Sequence, residues 1–442
     1  MFSQARLTLL LALPLFAWAG CSSDDSPPGD AGAVLDGGGG RDSALPDASG
    51  ADGFVPPADG GSCDGTLCEG RCVDVQVDPD HCGVCGTACG VAQACSSGSC
   101  MDVTPAAESD LTVDVVATNL EVVWEIRFLT PDELLITERP GRISRVAIAD
   151  GTVTPLGTLP VAARGEGGLM GLALDPDFET NSRIYVCYTY NDGGGALNRL
   201  SRLTYSRDAV SDEMTLLENV PGAGNHNGCR LGFADDGSLF MTTGDAANSA
   251  SAQDMGSLAG KVLRLNADGS IPDDNPVAGS YVYSLGHRNP QGLDWNPATR
   301  EPFVSEHGPS TDDEVNHVLA GRNYGWPMVG GAPGVDGFED AIYDWTPTIA
   351  PAGAVFYHRT EIPGWRGSFL VLTLADRDLR RLVPTDLAFG EVASEEILFD
   401  RDYGRLRAIR VGPDGWIYIG TSRRDGRGSP GPDDDRILRI RI

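Results

Sequence analysis

The chain has 442 residues, 41% hydrophobic and 22% charged, enough to bury a large core and to hold more than one structural unit. Its 63 acidic against 33 basic residues give a formal charge of −30. A field of that sign repels phosphate backbones, which excludes nucleic acid as a partner, and it attracts divalent cations.

The first element is the stretch MFSQARLTLLLALPLFAWAGCSS. One arginine precedes an apolar run too short to span a bilayer, and small residues precede a cysteine. The pattern predicts a lipoprotein-type signal over residues 1–21, with Cys21 as the lipidated first residue; cleavage as an ordinary secretory signal is the alternative. Either way the protein is expected to be exported, lipid-anchored at the cell envelope or else secreted, and to meet a membrane only through that anchor. Residues 22–60, rich in Asp, Gly, Ala and Pro, carry too little apolar surface to offset ordering entropy and are expected to form a disordered acidic tether.

Residues 61–102 contain eight cysteines, Cys63, Cys68, Cys72, Cys82, Cys85, Cys89, Cys95 and Cys100. In an exported chain so dense an even count predicts a small module stapled by disulfides, whose pairing the sequence does not specify. His81 with the CxxC at Cys82 and Cys85 raises a metal site as the alternative. A spacer or attachment role fits either reading.

From residue 108 to 442 the text is periodic. A turn with Pro, Asp or Gly precedes a short apolar, β-branched or aromatic run in LTPDELLITERPGRI, LDPDFETNSRIYVCYTY, FADDGSLFMTTGDA, WNPATREPFVSEHG, IPGWRGSFLVLTLADRDLRRL and VGPDGWIYIGTSRRDG. Such turns join strands, and starts roughly 40 to 65 residues apart leave room for one four-stranded blade each. Six units predict an all-β, six-bladed propeller of four-stranded antiparallel blades. LTVDVVATNL near the start and DRILRIRI at the end are both strand-like, and pairing them in one blade would remove an exposed edge. A β-sandwich or two β domains are the alternative. Propellers bind ligands on the loops at the channel mouth.

Four polar, glycine-flanked clusters break the strand rhythm. ARGEGGLMG contains Glu166, and GNHNG contains His226. SLGHRNPQG brings together His287, Arg288, Asn289 and Gln291; the guanidinium is a rigid fork for carboxylates or quinone oxygens, and the amide both donates and accepts. SEHGPSTDDEVN, followed by GRNYGWP, offers calcium the carbonyls beside Gly308 and Pro309, or the carboxylates of Asp312, Asp313 and Glu314, unless these acids form a solvated turn. Near the end, GRLRAIRV sets Arg405 and Arg407 two apart in a strand-like segment, so both side chains point one way. Two such cations require an anionic ligand or a nearby acid between them. Cys187 and Cys229 are expected to form a disulfide, with two buried thiols as the alternative.

The series GEGGLMG, GNHNG, GHRNPQG, SEHGPSTDDEVN, GRNYGWP and RLRAIRVGPDG resembles the soluble pyrroloquinoline-quinone-dependent glucose and aldose sugar dehydrogenases, which are six-bladed propellers. The resemblance covers residues 110–442 and neither the tether nor the cysteine module. It implies that His226 is the general base at the anomeric hydroxyl and that Arg288 stabilises charge developing on the quinone. Glu166, Arg288 and Asn289 would contact the cofactor, Arg405 and Arg407 would bind its carboxylates, and the Gly308 and Pro309 carbonyls would ligate calcium. The chain departs from the family where Ala375, in TLADRD, replaces a lysine that reaches the cofactor, with Arg377 two residues on. It departs again where Asn225 replaces an aspartate before the histidine and Glu166 replaces a glutamine. The expected activity is oxidation of an aldose at the anomeric carbon to the lactone, with hydride passing to the quinone and electrons to an external acceptor. A non-catalytic surface propeller binding carbohydrate or protein, and a calcium-dependent propeller lactonase, share the fold and are the alternatives.

Overall fold

In the computed structural model the six repeats fold as hairpins between the first and second strands of six sheets. The GPDG turn separates Leu406–Val411 from Ile417–Thr421, with Val411 opposite Ile417. The ADDG turn likewise separates Leu231–Phe233 from Leu239–Thr243, with Phe233 opposite Leu239. The structure describes Cys63 and residues 65–442; the signal at 1–21, its Cys21 and the tether at 22–60 lie outside the described residues.

A third and a fourth strand complete each hairpin into a four-stranded antiparallel sheet. The first strands, Val123–Thr130, Leu169–Leu174, Leu231–Phe233, Pro290–Trp295, Pro351–Phe356 and Leu406–Val411, pack against one another in a closed ring, which makes the domain a six-bladed propeller. Thr112–Ala117 supplies the outer strand of the sixth blade by pairing with Ile437–Arg441, Val113 opposite Ile440, so the predicted closure of the two chain ends is present. Second strands such as Phe369–Thr373 are buried throughout because neighbouring blades cover both their faces. Phe303, Phe356, Phe369 and Phe389 cluster there, with ring centroids 4.5 Å apart for Phe356 and Phe369. Truncating one of these rings to alanine costs about 3–5 kcal/mol.

Chain direction decides where function can sit. In an antiparallel meander, the connections entering each first strand and those joining second to third strands emerge on one face, and the remaining connections emerge on the other. Glu166, His226, Arg288, Asn289 and Arg405 precede first strands, while Gly308, Pro309 and Ala375 lie between second and third strands. The topology therefore gathers every predicted site residue on one face, with Arg407 just inside the first strand of the sixth blade.

The cysteine module contains two hairpins, Thr66–Cys68 with Arg71–Val73 and Gln93–Ser96 with Ser99–Asp102. Its disulfides join Cys63 to Cys72, Cys68 to Cys85, Cys82 to Cys95 and Cys89 to Cys100. Cys82 and Cys85 are thus both committed to disulfides, which takes their thiolates from the metal alternative, and His81 accepts the Gly86 N–H at 2.9 Å through Nδ1. The module docks on the loop between the first and second strands of the fifth blade, on the face opposite the site. Buried Arg366 pairs with Asp80 and donates to the Cys89 carbonyl at 2.6 Å, and Trp365 Nε1 donates to the Ala106 carbonyl at 3.0 Å. Arg366→Ala leaves the buried Cys89 carbonyl unpaired, a cost of about 1–3 kcal/mol. Limited proteolysis should then cut residues 103–107 faster than in the parent protein; an unchanged rate would show that the module is held by other contacts.

Candidate active site

The geometry begins with the loop that carries His226. Gly165 approaches so closely that a Cβ there would stand 2.0 Å from the Gly224 carbonyl oxygen, and a Cβ on Gly244 would stand 2.1 Å from that of His226. Both contacts need glycine, and His226 itself takes a left-handed φ of 57°. Its backbone N–H donates to Glu166 Oε2 at 3.1 Å. Its Nδ1 lies 2.8 Å from Asp245 Oδ1, and its side chain is 14% exposed. A carboxylate at Nδ1 favours the tautomer with the proton on that nitrogen, leaving the Nε2 lone pair free to take a proton.

Asp245 is held from two further directions. Trp326 Nε1 donates to its Oδ2 at 2.9 Å and the Ala247 N–H to its Oδ1 at 2.8 Å. Burial alone would raise this carboxyl, but His226, Trp326 and Ala247 outweigh it and keep the group below the usual carboxylate range. Trp326 comes from the connection between third and fourth strands of the fourth blade, which would ordinarily lie on the opposite face. It reaches the site because residues 321–324 climb beside the outer strand of the third blade, with Asn323 bridged to Leu285.

Beside this pair, Arg288 and Asn289 are fixed by their backbones. The Asp245 N–H donates to the Arg288 carbonyl at 2.8 Å, and the His307 N–H to that of Asn289 at 3.2 Å. The Gly228 N–H donates to Asn289 Oδ1 at 3.1 Å, and Arg288 Nη1 to the His307 carbonyl at 3.2 Å. The Arg288 guanidinium lies 5.2 Å from the centre of the Trp326 ring. Three buried polar atoms here, Arg288 Nε, Asn289 Nδ2 and His307 Nε2, meet no partner among the described residues. Burial pushes the His307 imidazole down to about 4, with Arg407 and Arg288 acting in the same direction against Glu166, so it is neutral at ordinary pH. By contrast His287, fully buried, is satisfied by Ser284 at 2.8 Å and Glu306 at 2.7 Å and belongs to the scaffold.

Gly308 and Pro309 line a cavity of about 210 Å³ together with Arg288, His307 and Trp326. No hydrogen bond among the described residues ends on either carbonyl, so both are available to a cation. Asp313 holds the loop, accepting the N–H groups of Gly308, Ile349 and Ala350 at 2.6–2.7 Å, and burial pushes its carboxyl up to about 6. Glu314 is likewise engaged, with the Gly331 N–H at 2.6 Å and Asn316 at 2.9 Å.

Across the mouth, Asp425 resolves the repulsion between Arg405 and Arg407. Its Oδ2 is 2.6 Å from Arg405 Nε and 4.0 Å from Arg407 Nη2. Arg407 also donates to Ser422 Oγ at 3.0 Å and Gln291 Oε1 at 2.9 Å, and burial lowers its guanidinium to about 10. Glu166 is tied to this side by Arg427 at 3.0 Å. Burial raises the Glu166 carboxyl, yet His307 while it is protonated, and the His226 N–H, Arg427 and Arg407, hold it below its ordinary range. Ala375 sits at the rim next to Leu374, whose carbonyl accepts Arg405 Nη1 at 2.7 Å; Arg377 is exposed and bonds none of the site residues. The Cys187–Cys229 disulfide clamps the base of the His226 loop to the second blade.

The predicted residues thus converge, and three partners absent from the prediction join them: Asp245, Trp326 and His307. All three stand inside stretches that were singled out, TTGDA, NYGWP and SEHGP, but each looks like a turn or strand-end residue until the fold sets it against His226 or Arg288.

Comparison with known proteins gives a consistent result. Residues 120–438 match the family model described as Glucose / Sorbosone dehydrogenase, and residues 58–109 match that of the stigma-specific STIG1-like protein family. The chain is 34% identical to the aldose sugar dehydrogenase YliI of Escherichia coli, over 73% of this chain and 92% of that protein. It is 28% identical to quinoprotein glucose dehydrogenase B of Acinetobacter calcoaceticus, over 73% and 87% respectively. The solved PQQ-bound aldose sugar dehydrogenase of Streptomyces coelicolor superposes with a TM-score of 0.69 at 34% identity, covering 76% of this chain and 99% of that one.

Proposed function

The chain belongs to the glucose/sorbosone dehydrogenase family, and from that premise we propose that it is a pyrroloquinoline-quinone- and calcium-dependent dehydrogenase that oxidises an aldose at the anomeric carbon to the lactone. The observation that carries this reading is the trio of buried, unpartnered atoms, Arg288 Nε, Asn289 Nδ2 and His307 Nε2, beside two free carbonyls. Leaving a buried polar atom unsatisfied costs about 1–3 kcal/mol, so three together support a polar ligand in their midst. A planar, carboxylate-bearing quinone fits that demand, with Arg405 and Arg407 on its acidic groups and calcium on the Gly308 and Pro309 carbonyls.

The quinone supplies the electron sink that no side chain provides. The protein supplies the proton chemistry and the positioning. His226 takes the hydroxyl proton at Nε2 as hydride leaves the anomeric carbon, and Asp245 holds the ring in the required tautomer and stabilises the cation that results. Arg288, braced by the His307 carbonyl and the Trp326 ring, aims positive charge at the place where negative charge develops. An external acceptor then removes the electrons. Five disulfides among the described residues support a workplace outside the reducing cytosol, in keeping with the envelope location and lipid anchor read from the sequence.

The assay is direct. Protein supplied with the quinone and calcium should reduce an artificial dye when an aldose is added; no reduction with any aldose would refute the enzyme reading and favour a non-catalytic binding propeller. Gln253 tests the support behind the site. It exchanges amide hydrogen bonds with Asn323 at 3.0 and 2.8 Å and donates to the Trp326 carbonyl at 2.7 Å. Gln253→Ala should free Trp326 and lower kcat by about tenfold to a hundredfold through misplacement of Asp245. Unchanged kcat would show that Trp326 needs no such brace.

A further inference from the structure

A second cavity, of about 550 Å³, opens between the first and sixth blades on the same face as His226. Its walls are residues 119–121, which lead into the first blade, Arg142 at the start of that blade's third strand, and Arg423, Arg424 and Gly426 from the connection between Ile417–Thr421 and Ile437–Arg441. The pocket's own lining holds three arginines and one carboxylate, Glu121, while the carboxylates of Glu138 and Asp434 pair with two of those arginines from just behind it.

Much of that donor capacity is unspent. Arg142 commits Nε and Nη2 to Glu138, and Arg423 pairs with Asp434 at 2.9 Å through Nη1 and donates Nη2 to the Ser429 carbonyl at 2.6 Å. Arg424 gives only its Nε, to the Asp434 carbonyl at 2.5 Å. Among the described residues no acceptor takes Arg142 Nη1 or either Nη of Arg424. The pocket also shares a wall with the proposed cofactor cradle. Ser422 and Asp425 turn inward to Arg407 and Arg405, while Arg423, Arg424 and Gly426 of the same short segment turn outward to line the cavity.

We propose that this pocket binds a small, multiply charged anion and that the electron acceptor of the sugar dehydrogenase reaction docks here, one loop away from the cradle. The acceptor role rests on the functional reading above; the anion site does not. Converting one aldose to its lactone releases two electrons and two protons. Two equivalents of a one-electron anionic oxidant, such as a metal hexacyanide, each gain one electron, and the protons pass to solvent. The volume suits a small molecule and not a protein domain. The guanidinium N–H groups of Arg142 and Arg424 that no acceptor among the described residues takes are what would hold an anionic oxidant on an otherwise repelling surface, and their contribution should weaken as salt rises.

The probe is hexacyanocobaltate(III), which is redox-inert, titrated calorimetrically into the full chain without quinone and again with it. Binding is expected in both, weakened about tenfold or more by Arg424→Glu and largely restored by Arg424→Lys. In turnover, Arg424→Glu should raise KM for ferricyanide by about tenfold while leaving the rate with an uncharged acceptor unchanged. No binding of hexacyanocobaltate, or equal binding by Arg424→Glu, overturns the site. Binding with an unaltered ferricyanide KM overturns the acceptor role. The calorimetric arm needs neither quinone nor sugar, so failure of the enzyme reading and failure of the anion site are read separately.

Discussion

His226→Ala is expected to lower kcat by about a thousandfold while the protein still binds quinone. The asymmetry follows from the geometry. Among the described residues the imidazole hydrogen-bonds only Asp245, at 2.8 Å, whereas the residues proposed to hold the cofactor stand on other loops and keep their own supports. A general base contributes about 10²–10⁴ to rate, and removing it does not disturb binding that never depended on it. Dye-coupled kinetics alongside a quinone titration separate the two effects. A variant with an unaffected rate would refute the assignment of His226 as base.

Asp245→Asn is expected to cost nearly as much, about 10²–10⁴ in kcat, although the side chain is isosteric. The carboxylate accepts from His226 and Ala247 at Oδ1 and from Trp326 at Oδ2. An amide has one oxygen for these two positions. With its nitrogen toward His226 it donates to Nδ1 and moves the imidazole proton to Nε2, removing the lone pair that faces the substrate. With its nitrogen toward Trp326 it opposes the indole N–H donor and displaces the ring on which Arg288 rests. The native carboxyl is held below its usual range and is ionised at working pH, so the amide also removes the negative charge beside the imidazole. A kcat equal to the parent's would show that Asp245 is structural.

Much of the fold was legible because its signals are local. All six repeats noted in the sequence coincide with hairpins between first and second strands, since a Pro-Asp-Gly turn and a β-branched run carry their own geometry. The closure of Thr112–Ala117 on Ile437–Arg441 was also foreseeable, because both ends are strand-like and an open edge is a liability. The site was legible where a residue type is chemically out of place: a histidine among glycines, or two arginines facing one way. It was not legible where pairing depends on the turn of the chain through space. Asp245 stands 19 residues beyond His226, and Trp326 stands 81 beyond Asp245. Nothing local in TTGDA or NYGWP announces that these side chains meet. Asp425 answers the arginine pair in the same way, from the far end of a blade connection. The pairing of the eight module cysteines likewise required coordinates, because spacing alone permits many connectivities.

The central claim is that this face holds pyrroloquinoline quinone although Ala375 stands where the resemblance implies a lysine. Incubating the purified protein with the quinone and calcium, removing unbound material by gel filtration and recording the absorbance spectrum before and after adding an aldose tests it directly. The account predicts about one quinone retained per chain, with a spectrum that changes on addition of sugar and changes far more slowly in His226→Ala. Quinone that separates completely from the protein, with calcium present throughout, would contradict it.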